Sequence, residues 1–181
     1  MSNTPTKLHR RVVTGHVDGK AVVLGDERRP AYGFKTVPGF EQSYVWAALG
    51  LKEETPGAVD AKIQTSALPA PGGSLVHIVT FPPQAARPSG GADPAAIGQE
   101  YLTRLPDLAE TFEPEGTQMH VTHTIDYGVV LEGDLWLELD DGVTVQLAAG
   151  DIVVQQATRH GWRNKGDKPA TIAIFMIGPP A

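Results

Sequence analysis

The chain has 181 residues, 41% of them hydrophobic, no cysteine and a formal net charge of −6. The length suits one domain with a real core. The charge argues against a nucleic-acid partner, whose binders carry basic patches; HRR at 9–11 and ERR at 27–29 are locally basic and read as solvated edges. Without cysteine there is no disulfide, thiolate ligand or thiol nucleophile, so His, Asp, Glu, Ser and Tyr must carry any chemistry. No apolar run nears the roughly 20 residues of a membrane span, and the opening MSNTPTKLHRRVV lacks the apolar core of a secretory signal. A soluble, cytoplasmic protein with no membrane partner is expected.

Taken in chain order, RRVVTGHVDGKAVVLGD places Val12 and Val13, then Val22, Val23 and Leu24, around Asp18-Gly19, a strong hairpin signal. Residues 26–41 are broken by prolines and glycines, and SYVWAALG then reads as a strand. From Leu51 to Gly73 the chain is polar and turn-rich. SLVHIVTF at 74–81 alternates Leu75, His77, Val79 and Phe81 against Val76, Ile78 and Thr80, which predicts a strand buried on both faces. His77 then reads as a core or rim histidine. A loop over 82–92 precedes a helix with Asp93 as N-cap, Pro94 at its first position, a stripe of Ile97, Tyr101 and Leu105, and Pro106 as its stop. That stripe reads as packing against a sheet or a second subunit.

From Met119 the pattern is nearly continuous β. HTIDYGVVLEG is followed by a hairpin, DLWLELDDGVTVQL, turning at 141–142, and then by IVVQQ, HGWRN and TIAIFMIG. Within MHVTHTIDYGVVLEG stand His120, His123 and Asp126. There is no glycine-rich phosphate loop, nucleophile elbow or HExxH helix.

Met119 to Asn164 resembles the cupin superfamily, small β-barrels of jelly-roll type. One motif of that family supplies two histidines, a glutamate and a glycine seven residues later; a second supplies a glycine, a proline-glycine turn, a histidine and an asparagine. Here Asp126 and Gly133 have the first spacing, with aspartate for glutamate. Gly150 and Asp151 open the second motif, His160 is its histidine, and Asn164 follows four later. Three positions depart: Thr122 replaces the second histidine, Gln155 and Gln156 stand at the turn proline, and Ala157 stands where glycine is usual. The order His120, Thr122, Thr124, Asp126, Tyr127, with VVQ and HGWRN, is similar to single-domain small-molecule cupins, some of natural-product pathways and described as oxidoreductases. The resemblance implies an all-β fold, a cupin-type jelly-roll β-barrel with an N-terminal β extension and one short helix. A single domain over 1–181 is expected, with 1–73 as N-terminal strands and loops and 74–178 as core barrel.

Strand phase puts His120, Thr122, Thr124 and Asp126 on one face, which the resemblance makes the barrel interior, and turns His123 away. A bulge that reversed the register would instead let His123 replace the missing ligand. By the resemblance, His120, Asp126 and His160 are the catalytic residues and the metal ligands, holding Fe(II) or Zn(II) in a facial set, or else hydrogen-bonding in a metal-free pocket. Thr122, Thr124 and Trp162 are expected around the substrate. Tyr127 opposes Asp126 by phase, Trp136 lies on the next strand, and Arg159 and Arg163 are either anion receptors or solvated. These functions stay open: a metal-dependent small-molecule cupin enzyme oxidising a small carbonyl-bearing or aromatic metabolite, a metal-assisted lyase or isomerase on the same kind of substrate, a metal-free cupin that binds a small ligand without catalysis, and a purely structural or interaction protein. Exposed strand edges predict a homodimer.

Overall fold

The computed structural model describes residues 7–48, 66–86, 93–114 and 117–180. Most of the turn-rich stretch after Leu51 and the end of the loop over 82–92 lie outside the described residues. Among the described residues ten strands are β1 (Lys7–Val17), β2 (Lys20–Gly33), β3 (Glu41–Ala48), β4 (Ser74–Phe81), β5 (Ile125–Glu132), β6 (Leu135–Glu138), β7 (Thr144–Leu147), β8 (Ile152–Gln156), β9 (Gly161–Arg163) and β10 (Ala170–Ile177). They form a seven-stranded sheet, β1-β2-β3-β4-β10-β5-β8, and a three-stranded sheet, β7-β6-β9. The fold is an all-β jelly-roll barrel, and the N-terminal hairpin extends one edge of the larger sheet.

Between the sheets the core gathers Leu75, Val79, Val130, Ile172 and Met176 from one side and Leu135, Leu137, Leu147 and Trp162 from the other. The period of two explains this membership, since alternate residues of each strand reach inward. The β1–β2 hairpin turns at Asp18 and Gly19, both at positive φ (50° and 73°), the backbone that a two-residue hairpin demands. Strand β2 runs through Pro30 to Gly33, where sequence alone suggested broken structure. Pro30 is opposite Leu8 of β1, while β2 meets β3 only at Tyr32 and Gly33, so the missing N–H breaks no ladder there. Strand β4 is also less enclosed than expected: Leu75, His77 and Val79 are buried, but Val76, Ile78 and Thr80 are half-buried.

The helix α1 (Pro94–Arg104) is capped by Asp93, whose carboxylate accepts from the Ala95 N–H at 3.1 Å. It ends as Pro106 requires, with Leu105 as C-cap. Tyr101 and Leu105 pack with Phe34, Val37, Ala67 and Leu108 in a second apolar cluster. Glu100 docks the helix by accepting the Lys35 and Thr36 N–H groups at 2.9 and 2.8 Å. The stripe is therefore packing, and it closes one side of the pocket described next.

Candidate active site

Residues 119–124 are irregular apart from the two isolated bridges that His120 makes to Phe112 and His160, yet they keep the two-residue alternation into β5. His120, Thr122, Thr124 and Asp126 are buried, while His123, Ile125 and Tyr127 are exposed. No bulge reverses the register, so His123 lies outside the site and Tyr127 opposes Asp126 as phase required. His120 and His160 form an antiparallel bridge in which each N–H donates to the other's C=O at 2.9 Å. Their rings lie 4.2 Å apart between centroids, tilted by 50°. His120 Nδ1 is 3.2 Å from the Gln118 carbonyl, and His160 Nδ1 is 2.9 Å from that of Thr158. A carbonyl only accepts, so each Nδ1 carries the proton and each neutral ring keeps its lone pair on Nε2. Burial holds His120 down to about 4, helped by its neighbour His160, and burial likewise lowers His160. Burial moves Asp126 the other way, upward, against the hydroxyls of Thr124 and Thr122.

These groups line a cavity of about 80 Å³ inside the barrel. Its walls are largely apolar: Phe40, Phe81, Tyr101, Phe112 and Trp162 contribute rings. Phe112 meets His120 edge-on at 4.8 Å. Thr122 and Trp162 line the cavity. Thr124 does not; its hydroxyl donates to that of Thr122 at 2.8 Å behind the wall. The polar lining also holds Gln42, His77 and Gln155, which the sequence reading did not assign to a site. The available signals were His77 alternating in phase with Leu75 and Val79, and Gln155 standing at the turn proline.

The expected metal set is only partly assembled. His120 and His160 adjoin, with Nδ1 tied back in the manner of metal-bound imidazoles. Among the described residues, however, no three His, Asp or Glu side chains are grouped closely enough to hold an ion. Asp126 shares the cavity but does not join the pair. With threonine at position 122 no second motif histidine can supply the third donor, so the residues present do not fit an iron or zinc centre of three protein ligands.

The remaining motif residues build the frame. Asn164 donates from Nδ2 to the Phe81 and Lys168 carbonyls at 2.9 and 2.7 Å, tying β9 to the end of β4. Gly133 has φ 72°, and a Cβ there would stand 2.5 Å from the Pro169 carbonyl oxygen. Ala157 takes φ 53°, the left-handed backbone that the usual glycine would adopt freely. Arg159 is held by Glu113 in two bonds of 2.5 and 2.6 Å and by Asp140 at 2.8 Å. Arg163 pairs with Glu138 at 2.9 Å and donates to the Thr117 carbonyl. Neither arginine points an uncommitted guanidinium at a substrate.

The family model described as Cupin domain matches residues 109–177. "Phomopsin biosynthesis cluster protein D" of Diaporthe leptostromiformis is 53% identical over 58 residues, 32% of this chain and 31% of the relative. The "Cupin-domain-containing oxidoreductase virC" of Hypocrea virens is 28% identical over 165 residues, covering 85% of this chain and 66% of the relative. The "Cupin-domain-containing oxidoreductase srdD" of Neurospora crassa is 46% identical over 79 residues, 42% and 39% of the two chains. The chain thus spans about one third to two thirds of the length of these curated relatives. Among solved structures, an RmlC-like cupin family protein from Methanocaldococcus jannaschii superposes with a TM-score of 0.38 at 10% identity, over 58% of this chain and 70% of that one. The motif residues inside the barrel and the family match fall on the same stretch: residues 109–177 of this chain are similar to a cupin domain.

Proposed function

We propose that the chain is a cupin enzyme acting on a small, largely apolar metabolite with a carbonyl group or aromatic ring, and that proton transfer at the His120–His160 pair begins its reaction. The observation that carries this reading is the pair itself: two neutral imidazoles, fixed by a backbone bridge and lining an apolar cavity. A neutral imidazole can remove a proton from a carbon or hydroxyl beside a carbonyl, and Asp126, whose carboxyl is biased towards its protonated form, can return one to oxygen. Aromatic walls exclude water, which strengthens each of these interactions.

The oxidoreductase names of the relatives support an oxidation, in which the metabolite gives up two electrons and two protons to dioxygen as the external oxidant, released as hydrogen peroxide. An enolising isomerase or lyase is the second reading. It is favoured by a donor set that supplies acid and base but no third metal ligand. Both readings share the first step. The test is proton exchange into heavy water, followed by NMR, for a panel of enolisable aromatic aldehydes and ketones. Exchange should be catalysed by the protein and fall by about 10²- to 10⁴-fold in His120→Ala and His160→Ala. Exchange unaffected by both substitutions would refute the role of the pair.

A further inference from the structure

Among the described residues, three that line the cavity each carry a buried polar atom with no hydrogen-bond partner: His77 Nε2, Gln155 Nε2 and Asp126 Oδ1. Their residues are 3%, 5% and 4% exposed. A buried donor or acceptor left unpaired carries a desolvation penalty that an apolar side chain would avoid, so three around one cavity favour a ligand over a purely structural role.

Their hydrogen-bonding sense follows from their neighbours. Gln42 Nε2 lies 3.0 Å from His77 Nδ1. An amide nitrogen can only donate, so His77 Nδ1 accepts and the one proton of the neutral ring sits on Nε2. This is the opposite tautomer to that of His120 and His160. His77 therefore presents an N–H donor to the cavity. Gln155 presents a second, directly opposite Asp126 in the β5–β8 ladder. His77 stands on β4, and β10 and β5 separate that strand from β8. The two donors thus stand three strands apart on one curved sheet, at most roughly 14 Å at the strand axes by three steps of about 4.8 Å, before either side chain reaches inward.

We propose that these residues are the polar receptors of the pocket, and that they select a hydroxylated aromatic carbonyl compound. Its hydroxyl donates to Asp126 Oδ1 and accepts from Gln155, and its carbonyl oxygen accepts from His77. A hydroxyl is the small group that satisfies a donor and an acceptor side by side; a carbonyl satisfies a donor alone. The apolar rings between the two ends fit a flat hydrocarbon frame. This assignment names the substrate class of the reaction proposed above and rests on that reading only for the claim that the bound compound is turned over.

The test uses three probes on the whole chain: para-hydroxybenzaldehyde, benzaldehyde and phenol, with dissociation constants from ultraviolet difference titration. Gln155→Leu should weaken para-hydroxybenzaldehyde and phenol by about tenfold, the value of one hydrogen bond, and leave benzaldehyde unchanged. His77→Leu should weaken both aldehydes and leave phenol unchanged. His77→Gln, which can keep an N–H donor, should recover most of the loss, and circular dichroism confirms that each variant is folded. Long-range ¹H–¹⁵N spectra of the unsubstituted protein should show His77 protonated on Nε2 and His120 and His160 on Nδ1. No binding of any probe, equal weakening of all three, or His77 protonated on Nδ1 would overturn the proposal and leave ordered water only as the partner of these atoms. The crossed binding pattern without catalysed proton exchange would uphold these receptors and refute the reaction instead.

Discussion

Mild acid should destabilise this protein before its surface carboxylates protonate, with His77 as a main cause. The ring is buried and its pKa is lowered by that burial from 6.5 to about 4. Because the folded value lies below the unfolded one, the unfolded chain binds more protons between the two. Stability from this group is therefore complete above about pH 6.5 and is lost as pH falls towards about 4. At about 1.4 kcal/mol per pH unit, that interval amounts to about 3 kcal/mol. His120, lowered to about 4 chiefly by burial, acts with the same sign over the same window. Asp126, raised by burial, acts in the opposite sense and gives part of this back. Against a typical domain stability of about 5–15 kcal/mol the loss is large. Urea unfolding followed by tryptophan fluorescence, at several values from about pH 7.5 to about pH 4.5 and constant ionic strength, measures it. His77→Gln should remove about half of the pH dependence. Stability that stays level across this window in the unsubstituted protein would refute the reasoning, because a buried neutral imidazole must resist protonation.

Ala157→Gly should raise stability by up to about 1 kcal/mol, measured by the same unfolding assay, since Ala157 holds φ 53° and glycine takes that backbone without a Cβ clash. The outer face of the larger sheet predicts a homodimer. Phe175, Tyr127 and Val154 stand side by side in register, flanked by Ile177, Ile125, Leu131 and Ile152, all substantially exposed. These seven side chains offer roughly 700 Å², near the roughly 800 Å² per partner of a stable interface, and carry no charge that would repel its own copy. Sedimentation should show a dimer at micromolar concentration that Tyr127→Lys with Phe175→Glu converts to monomer; a monomeric unsubstituted protein would refute it.

Much of the architecture was legible because period and turn chemistry are local. The alternation His120, Thr122, Thr124, Asp126 survives even though residues 119–124 are not a regular strand, since the bridge to His160 and the start of β5 hold its phase. Asp18-Gly19 and the cap Asp93 worked for the same reason: a few adjacent residues decide them. The polar floor of the pocket was not legible. His77 acquires its tautomer from Gln42, on a strand 35 positions earlier, and its importance from an orphaned Nε2 that no spacing reveals. Spacing also placed Asp126 on the correct face but could not fix its distance from His120 and His160, which the barrel's curvature decides. Pro30 misled because its tolerance depends on β2 lacking a partner on one side at that point.

The central claim is that His120 and His160 act on substrate as a proton-transferring pair. Bound metal and catalysed proton exchange, measured on one sample before and after dialysis against a chelator, test it most directly. The account predicts exchange that survives the dialysis with little bound ion and is lost in His160→Ala. Exchange that disappears with a stoichiometric ion and returns on adding Fe(II) or Zn(II) would contradict it, making the two histidines ligands rather than bases.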